Sequence, residues 1–241
     1  MATSANSFNL PKGQKIAMII ALLVGAFMGI INETLLATAL PTIQHAFQIS
    51  QAQVQWLTTA FLMVNGIMIP ISAYFIERFT TRGLFLTAIS LFGIGTLTAA
   101  LAPVFPVLLL GRVIQASGSG IMLPLLMTVL LAIIPVEKRG TTMGLIGIVI
   151  AFGPAIGPTL SGWLLEHFEW RALFLTVLPI VVITIILAAL FLKNVTDLGK
   201  PKLDVLSVIL SSLGFGGFLY GFSIGSEHGW GSAAVLIAII G

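Results

Sequence analysis

Cysteine is absent from the 241 residues of this chain, and charged residues are scarce at 8% of the total. Without cysteine the chain can form neither disulfides nor thiolate metal sites. A soluble domain usually carries about 25% charged residues, so this composition is poorly suited to a surface that faces water. Hydrophobic residues make up 58% of the sequence and the mean hydropathy is +1.11, which favours a protein that resides in lipid.

Long apolar runs follow one another along the whole chain. A helix that crosses a bilayer needs about 20 mostly apolar residues. The runs are apolar around their full circumference, as expected for helices in lipid, and they lack the alternation of membrane-barrel strands. We therefore expect an all-α integral membrane fold. The predicted spans cover residues 16–40, 52–76, 83–101, 106–134, 141–165, 172–192 and 205–225, and an eighth begins near residue 232.

The basic residues occupy alternate connections between these spans. Nine of the eleven fall on one side of the predicted membrane. By the positive-inside rule this side is the cytoplasm, so we expect a protein of the cell (inner) membrane with a cytoplasmic N-terminus. The positive charge thus reports topology, and nucleic acid is not expected as a partner. The nine are Lys12, Lys15, Arg78, Arg82, Lys138, Arg139, Lys193, Lys200 and Lys202.

The predicted organisation has four parts. Residues 1–14 form a cytoplasmic tail, 15–193 a six-helix bundle, 194–204 a cytoplasmic linker, and 205–241 a seventh span with the start of an eighth. The roughly ten apolar residues after Ser232 are too few, at about 1.5 Å each, to cross a core of about 30 Å. We therefore expect this chain to be the N-terminal piece of a longer protein.

Two charged residues lie inside predicted spans. Glu33 and Arg112 both sit about 10 Å below the outer surface, counting from the span ends at 1.5 Å per residue. Opposite charges at equal depth can pair and so offset part of their desolvation cost. Three hypotheses stay open: a structural ion pair, a protonatable acid that couples transport to a proton gradient, and a Glu33 that lines a watery cavity for cationic ligands.

The segment RVIQASGSG surrounds Arg112. Gln115 lies one helical step away on the same face, and Gly118 and Gly120 allow close approach of another helix. An arginine in hydrocarbon costs about 2.5–3.5 kcal/mol on the insertion scale, so a functional role is the default expectation. The alternative is a hydrogen-bonded packing residue.

The fifth span carries GPAIGPTLSG. Gly153, Gly157 and Ser161 repeat every four residues and predict one small-residue face for tight helix contact. Pro154 and Pro158 lack an N–H and favour a bent helix. Such a helix is suited to a movement between two packing arrangements of the bundle, although ordinary helix packing without motion explains the same residues.

The connection after the second span reads AYFIERFTTRG. Glu77 lies beside Arg78 and near Arg82 on the predicted cytoplasmic side. Topology alone explains the arginines but not the acid, so we predict a local salt-bridged latch.

Five segments taken together resemble the major facilitator superfamily, in its fourteen-span drug:proton antiporter branch. ETLLATALP resembles D-x-T-x-x-N-V-A-L-P, with Asn32 at the place of the acid and Glu33 after it. AYFIERFTTR resembles G-x-L-a-D-R-x-G-R-[KR], RVIQASGSG resembles R-x-x-Q-G-x-G, GPAIGPTLSG resembles G-P-x-x-G-G, and WRALFLTVLP resembles W-R-W-x-F-x-x-N-x-P. The five occur in the expected order between residues 31 and 180.

The resemblance implies a bundle of two inverted three-helix repeats in a secondary transporter, one that exports drugs or other amphipathic compounds in exchange for protons. It implies a proton-coupling role for Arg112 with Gln115 and, one position displaced, Glu33. It further assigns Gly153, Pro154, Gly157 and Pro158 to an antiporter motif, and Glu77, Arg78 and Arg82 to a cytoplasmic gate loop.

The expected partners are membrane lipid, a hydrophobic or cationic small molecule, protons and a C-terminal half of the same transporter. No cofactor and no enzymatic activity are expected, since the three histidines lie in separate external connections without metal-type spacing. The alternatives are a fragment that does not transport, and a symporter or uniporter of another small solute.

Overall fold

The computed structural model describes residues 11–196, 199, 206, 209–210, 212–214, 216–218, 220–221 and 232–240. Across these residues the regular structure is entirely helical. The elements are α1 (Lys12–Phe47), α2 (Gln51–Arg78), α3 (Thr81–Ala100), α4 (Phe105–Ile133), α5 (Val136–His167), α6 (Ala172–Leu175), α7 (Val177–Phe191) and α8 (Ala233–Ile240).

Six of these segments are long and apolar enough to cross a membrane: α1 to α5, and α6 with α7 as one span over Ala172–Phe191. The six spans predicted within residues 16–192 are therefore confirmed as helices, and α1 and α5 extend past the predicted bounds at both ends. Of the predicted seventh span, 205–225, eleven residues are described and all of them are helical, whereas its other ten residues lie outside the described part of the chain, as do residues 1–10 of the tail and most of the 194–204 linker. The eighth helix starts at Ala233, close to the predicted residue 232.

Short connections with local signals end one helix and start the next. Gln48 takes a left-handed conformation with φ 53° at the end of α1, and Ser50 then begins α2 with a capping box that includes Gln53. The hydroxyl of Thr80 accepts a hydrogen bond from the Gly83 N–H and caps α3. Such short connections make consecutive helices run in opposite directions across the membrane.

The packing relates the first three spans to the next three. Helices α1 and α4 contact each other at the centre, α2 packs on α4 as α5 packs on α1, and α3 packs on α4 as α7 packs on α1. Helices α4, α5 and α7 thus pack in the same pattern as α1, α2 and α3, but the second triplet starts from the opposite side of the membrane. This agrees with the expected inverted three-helix repeats. The all-α bundle predicted from the sequence is therefore confirmed.

Glycines allow a close approach of α3 to α4. A Cβ built on Gly118 would overlap the carbonyl oxygen of Ala88 and the amide nitrogen of Phe92, and one on Gly95 would overlap the backbone of Gln115. Backbone atoms cannot move aside as a flexible side chain can. The small residues after Arg112 therefore set how near α4 lies to α3.

Replacing Gly118 by alanine is expected to destabilise the bundle by about 1–3 kcal/mol, the usual cost of overpacking a tight contact. The measurement is the midpoint of thermal unfolding of the detergent-solubilised complete transporter. Gly147→Ala is the matched control, since no described atom lies within 4 Å of a Cβ at that position. Equal midpoints for the two variants would contradict the close approach of α3 and α4.

Candidate functional site

A cavity of about 410 Å³ opens between α1, α2 and α4. Most of its wall is apolar, with side chains such as Ile30, Phe61, Leu62, Leu123 and Met127. Three polar side chains interrupt that wall, one from each helix: Glu33, Asn65 and Ser119. An apolar cavity with a few converging polar groups is the usual form of a small-molecule site.

Glu33 is half-buried at the cavity wall on α1. Its carboxylate forms no salt bridge and accepts no hydrogen bond from any described residue. A carboxylate in a mostly apolar wall is costly unless it meets a cation, a proton or water. Glu33 is therefore available to whatever enters the cavity.

Arg112 lies behind this cavity on α4 and is completely buried. Its Nη1 donates hydrogen bonds to Asn32 Oδ1 and to Gln115 Oε1, each at 2.5 Å, and its Nε donates to the Leu57 carbonyl oxygen at 3.4 Å. Its Nη2 has no partner among the described residues. The guanidinium is thus held by neutral groups from three helices, and one of its nitrogens is left unsatisfied.

The network around Arg112 continues into α3 and borders the cavity. Gln115 Nε2 donates to Thr96 Oγ1 at 2.7 Å, and Thr96 Oγ1 donates in turn to the Phe92 carbonyl oxygen. The guanidinium carbon lies 3.9 Å from the centre of the Phe61 ring, a cation–π contact. Because Phe61 also lines the cavity, this ring separates Arg112 from the space that Glu33 faces.

The ion pair proposed between Glu33 and Arg112 is not formed. Arg112 hydrogen-bonds to Asn32 instead, and the one salt bridge among the described residues joins Arg171 to Glu169 near the α5–α6 connection. Consecutive helical residues point about 100° apart, so Asn32 faces α4 while Glu33 faces the cavity. The charges of Glu33 and Arg112 still attract each other at longer range. This geometry favours the hypothesis that Glu33 lines a cavity.

The sequence correctly placed Gln115 on the Arg112 face, but it missed other members of the site. Asn32 was visible as the residue at the family's acid position, and Asn65 as an amide within an apolar span. Thr96 and Ser119 carry small hydroxyl groups that are common in membrane helices, so the sequence contains no signal that singles them out.

The small-residue face of α5 packs against α1 next to Glu33. A Cβ on Gly157 would overlap Thr34, whose hydroxyl donates to the Gly153 carbonyl oxygen at 3.4 Å, and Ser161 donates to the Leu35 carbonyl oxygen at 2.8 Å. The predicted contact face is thus present. Pro154 and Pro158 lie on the exposed side of α5, which continues as one helix through both.

The predicted salt-bridged latch among Glu77, Arg78 and Arg82 is wrong, because these three exposed residues form no ion pair with one another. The Arg82 Nη2 donates to the Ala189 carbonyl oxygen at 2.6 Å. The Arg82 amide nitrogen donates to Asn194 Oδ1 at 3.2 Å. The Glu77 carbonyl oxygen accepts from the Gly199 amide at 3.0 Å. The α2–α3 turn is therefore attached to the end of α7 and to the segment after it.

Within the described residues, no group of three or more histidine, aspartate or glutamate side chains could hold a metal ion.

The family model described as Major Facilitator Superfamily matches residues 22–241. The chain belongs to this superfamily. It is 58% identical over 91% of its length to "Uncharacterized MFS-type transporter YcnB" of Bacillus subtilis, and 49% identical over 95% to "Lincomycin resistance protein LmrB" of Listeria innocua. These alignments cover 46% and 49% of the two relatives, so the chain spans about half their length.

A solved structure confirms the fold of this superfamily member. The crystal structure of a D-xylose-proton symporter aligns with a TM-score of 0.64 at 16% sequence identity, over 93% of this chain and 65% of the other. At that identity the likeness concerns architecture alone. The chain is a multi-pass membrane protein with the helical arrangement of a transporter family.

Proposed function

We propose that the complete transporter containing this chain exports amphipathic or cationic drugs in exchange for protons. The observation that carries the proposal is the unpartnered Glu33 carboxylate in the wall of an otherwise apolar cavity, with the buried Arg112 cluster directly behind it. A carboxylate that can hold either a proton or a cation, but not both, links the two ligands. The lincomycin-resistance relative supports a drug as the transported solute.

The two charged residues take different roles in this scheme. Glu33 faces the cavity and exchanges a proton for the substrate. Arg112 lies behind it, and Gln115 and Asn32 hold the guanidinium in place. The unsatisfied Nη2 gives Arg112 a free donor that a rearranged site could use. A change in the distance between the charges would then change how readily Glu33 binds a proton.

The other motif residues support movement between two states. The six-helix bundle would rock against a second half of the transporter around the central cavity. Helix α5, with Gly153 and Gly157 packed on α1 and with Pro154 and Pro158 on its exposed side, is the proposed element of that interface. The α2–α3 turn with Glu77, Arg78 and Arg82 is the proposed gate loop.

The proposed location is the cell membrane, with the N-terminus in the cytoplasm. Lys12 and Lys15 begin α1, Arg78 and Arg82 flank the α2–α3 turn, and the α4–α5 turn adds Lys138 and Arg139. Because helices α1 to α4 cross the membrane in alternating directions, all these residues lie on one face of it, where the positive-inside rule places the cytoplasm.

The test is transport by the complete reading frame in everted membrane vesicles from cells without other drug pumps. We expect an acidic vesicle interior to drive uptake of lincomycin or ethidium. Adding nigericin in potassium buffer, which collapses the pH gradient, should return uptake to the level of empty vesicles. Uptake that persists after the collapse would contradict proton exchange, and the absence of uptake for a broad drug panel would contradict drug export.

A further inference from the structure

Two polar side chains in the cavity have no role in the proposed proton exchange. Asn65 on α2 and Ser119 on α4 are both half-buried and both line the cavity that Glu33 faces. Neither side chain forms a hydrogen bond with a described residue. Polar groups inside a membrane are normally paired, because hydrocarbon offers no partner. An amide and a hydroxyl without partners are therefore available to a molecule in the cavity.

Ser119 differs in this respect from its neighbours on the same helix. Ser117 donates to the Val113 carbonyl oxygen at 2.9 Å, and Thr128 donates to the Pro124 carbonyl oxygen at 2.9 Å. This bond to the carbonyl four residues earlier is the usual solution for a hydroxyl in a membrane helix. Because Ser119 does not make this bond, its hydroxyl remains available to a molecule in the cavity.

Glycines bring these polar groups close to the facing helices. A Cβ on Gly29 of α1 would overlap Ser119 Oγ, and one on Gly120 of α4 would lie 3.1 Å from Asn65 Oδ1. Ser119 thus lies against the α1 turn that precedes Glu33, and Asn65 lies against the α4 turn that holds Ser119. The three polar groups converge on one cavity from three helices, and apolar side chains form the rest of its wall.

We infer that the cavity recognises an amphipathic cation that also carries a hydroxyl or similar hydrogen-bonding group on its apolar body. Glu33 binds the positive charge, while Asn65 and Ser119 together bind the polar group, since a serine hydroxyl and an asparagine amide can each donate and accept. The inference rests on the proposed function and deepens it by naming the substrate class and two specificity-determining residues.

The test uses two probes of equal charge and nearly equal shape, tetraphenylphosphonium and its 4-hydroxymethyl derivative. Their dissociation constants from the purified complete transporter are measured by equilibrium dialysis. We expect the derivative to bind about 2- to 10-fold more tightly. This is the net contribution of one hydrogen bond when a bond to water is replaced by a bond to the protein. Asn65→Leu and Ser119→Ala should each lower the affinity for the derivative more than that for the parent cation, and Glu33→Gln should weaken both.

Ser117→Ala is the matched control, because the Ser117 hydroxyl bonds within its own helix. It should keep the full preference for the derivative. Equal binding of the two probes by the native transporter, no binding of either, or an equal loss for both probes in Asn65→Leu and Ser119→Ala would each overturn the inference. Dialysis needs no proton gradient, so a transporter that binds the probes but ignores the pH gradient would contradict the proposed exchange and leave the inference standing.

Discussion

Replacing Arg112 by methionine is expected to abolish uptake driven by a pH gradient in everted vesicles, to the level of vesicles without the transporter. Methionine retains much of the side-chain volume but removes the charge that interacts with Glu33. It also leaves the Asn32 and Gln115 oxygens without their donor. An unpaired buried acceptor costs about 1–3 kcal/mol, so the amount of folded transporter in the membrane is measured beside the transport rate.

Two further variants separate charge from folding in this experiment. Arg112→Lys keeps the charge but loses the planar fork that bonds Asn32, Gln115 and Leu57, and should retain a small part of the coupled rate. Arg139→Lys is the control, since that arginine bonds to backbone carbonyl oxygens at the α4–α5 turn, away from the cavity. Normal coupled uptake by correctly inserted Arg112→Met protein would remove Arg112 from the coupling mechanism.

Glu33→Gln is expected to eliminate the release of protons that accompanies binding of tetraphenylphosphonium to the purified complete transporter. Glutamine has nearly the same shape but cannot exchange a proton for a cation. We also expect a neutral drug, if transported, to move only down its own gradient and at a rate independent of the pH gradient. Proton release is measured with a pH-sensitive dye in weakly buffered detergent solution.

Glu166→Gln serves as the control for that measurement, because Glu166 is exposed near the end of α5. It should release protons as the native transporter does. Proton release of native size from the Glu33→Gln variant would mean that another group carries the proton, and Glu33 would then be a substrate contact alone.

The spans were predictable because a backbone in hydrocarbon must satisfy its own hydrogen bonds, so a run of 20 apolar residues has little choice but to form a helix. Apolar length alone therefore located α1 to α5 and the α6–α7 span. The motif glycines were predictable in the same way, since small residues spaced four apart indicate a face of close contact. Gly157 against Thr34 on α1 is an example.

The rotation of each helix about its own axis could not be predicted as well as the depth of its residues in the membrane. Depth follows from counting residues, and it placed Glu33 and Arg112 together. Which of two adjacent residues faces α4 depends on a turn of about 100°, and a helix that is apolar all around gives no signal for it. The partner of Arg112 is for this reason Asn32, one position from the predicted acid.

The polar contacts of the α2–α3 turn could not be predicted from the sequence, for a different reason. Arg82 bonds to the end of a helix more than 100 residues further along the chain, and no local pattern encodes such a partner. The predicted latch considered only neighbours within the loop. The hydrogen bonds are instead long-range and largely to backbone atoms, which every residue supplies.

Thr81 gives these attachments a mechanical consequence. Its hydroxyl lies 2.8 Å from that of Thr196 and accepts a hydrogen bond from the Val195 amide, while the Asn194 side chain accepts one from the first turn of α3. A pull on the chain beyond α7 therefore loads the start of α3 directly, without passing through α7. A displacement of any domain or span joined after residue 196 would therefore be transmitted to the turn between the second and third crossings, and a displacement of that turn would be transmitted back.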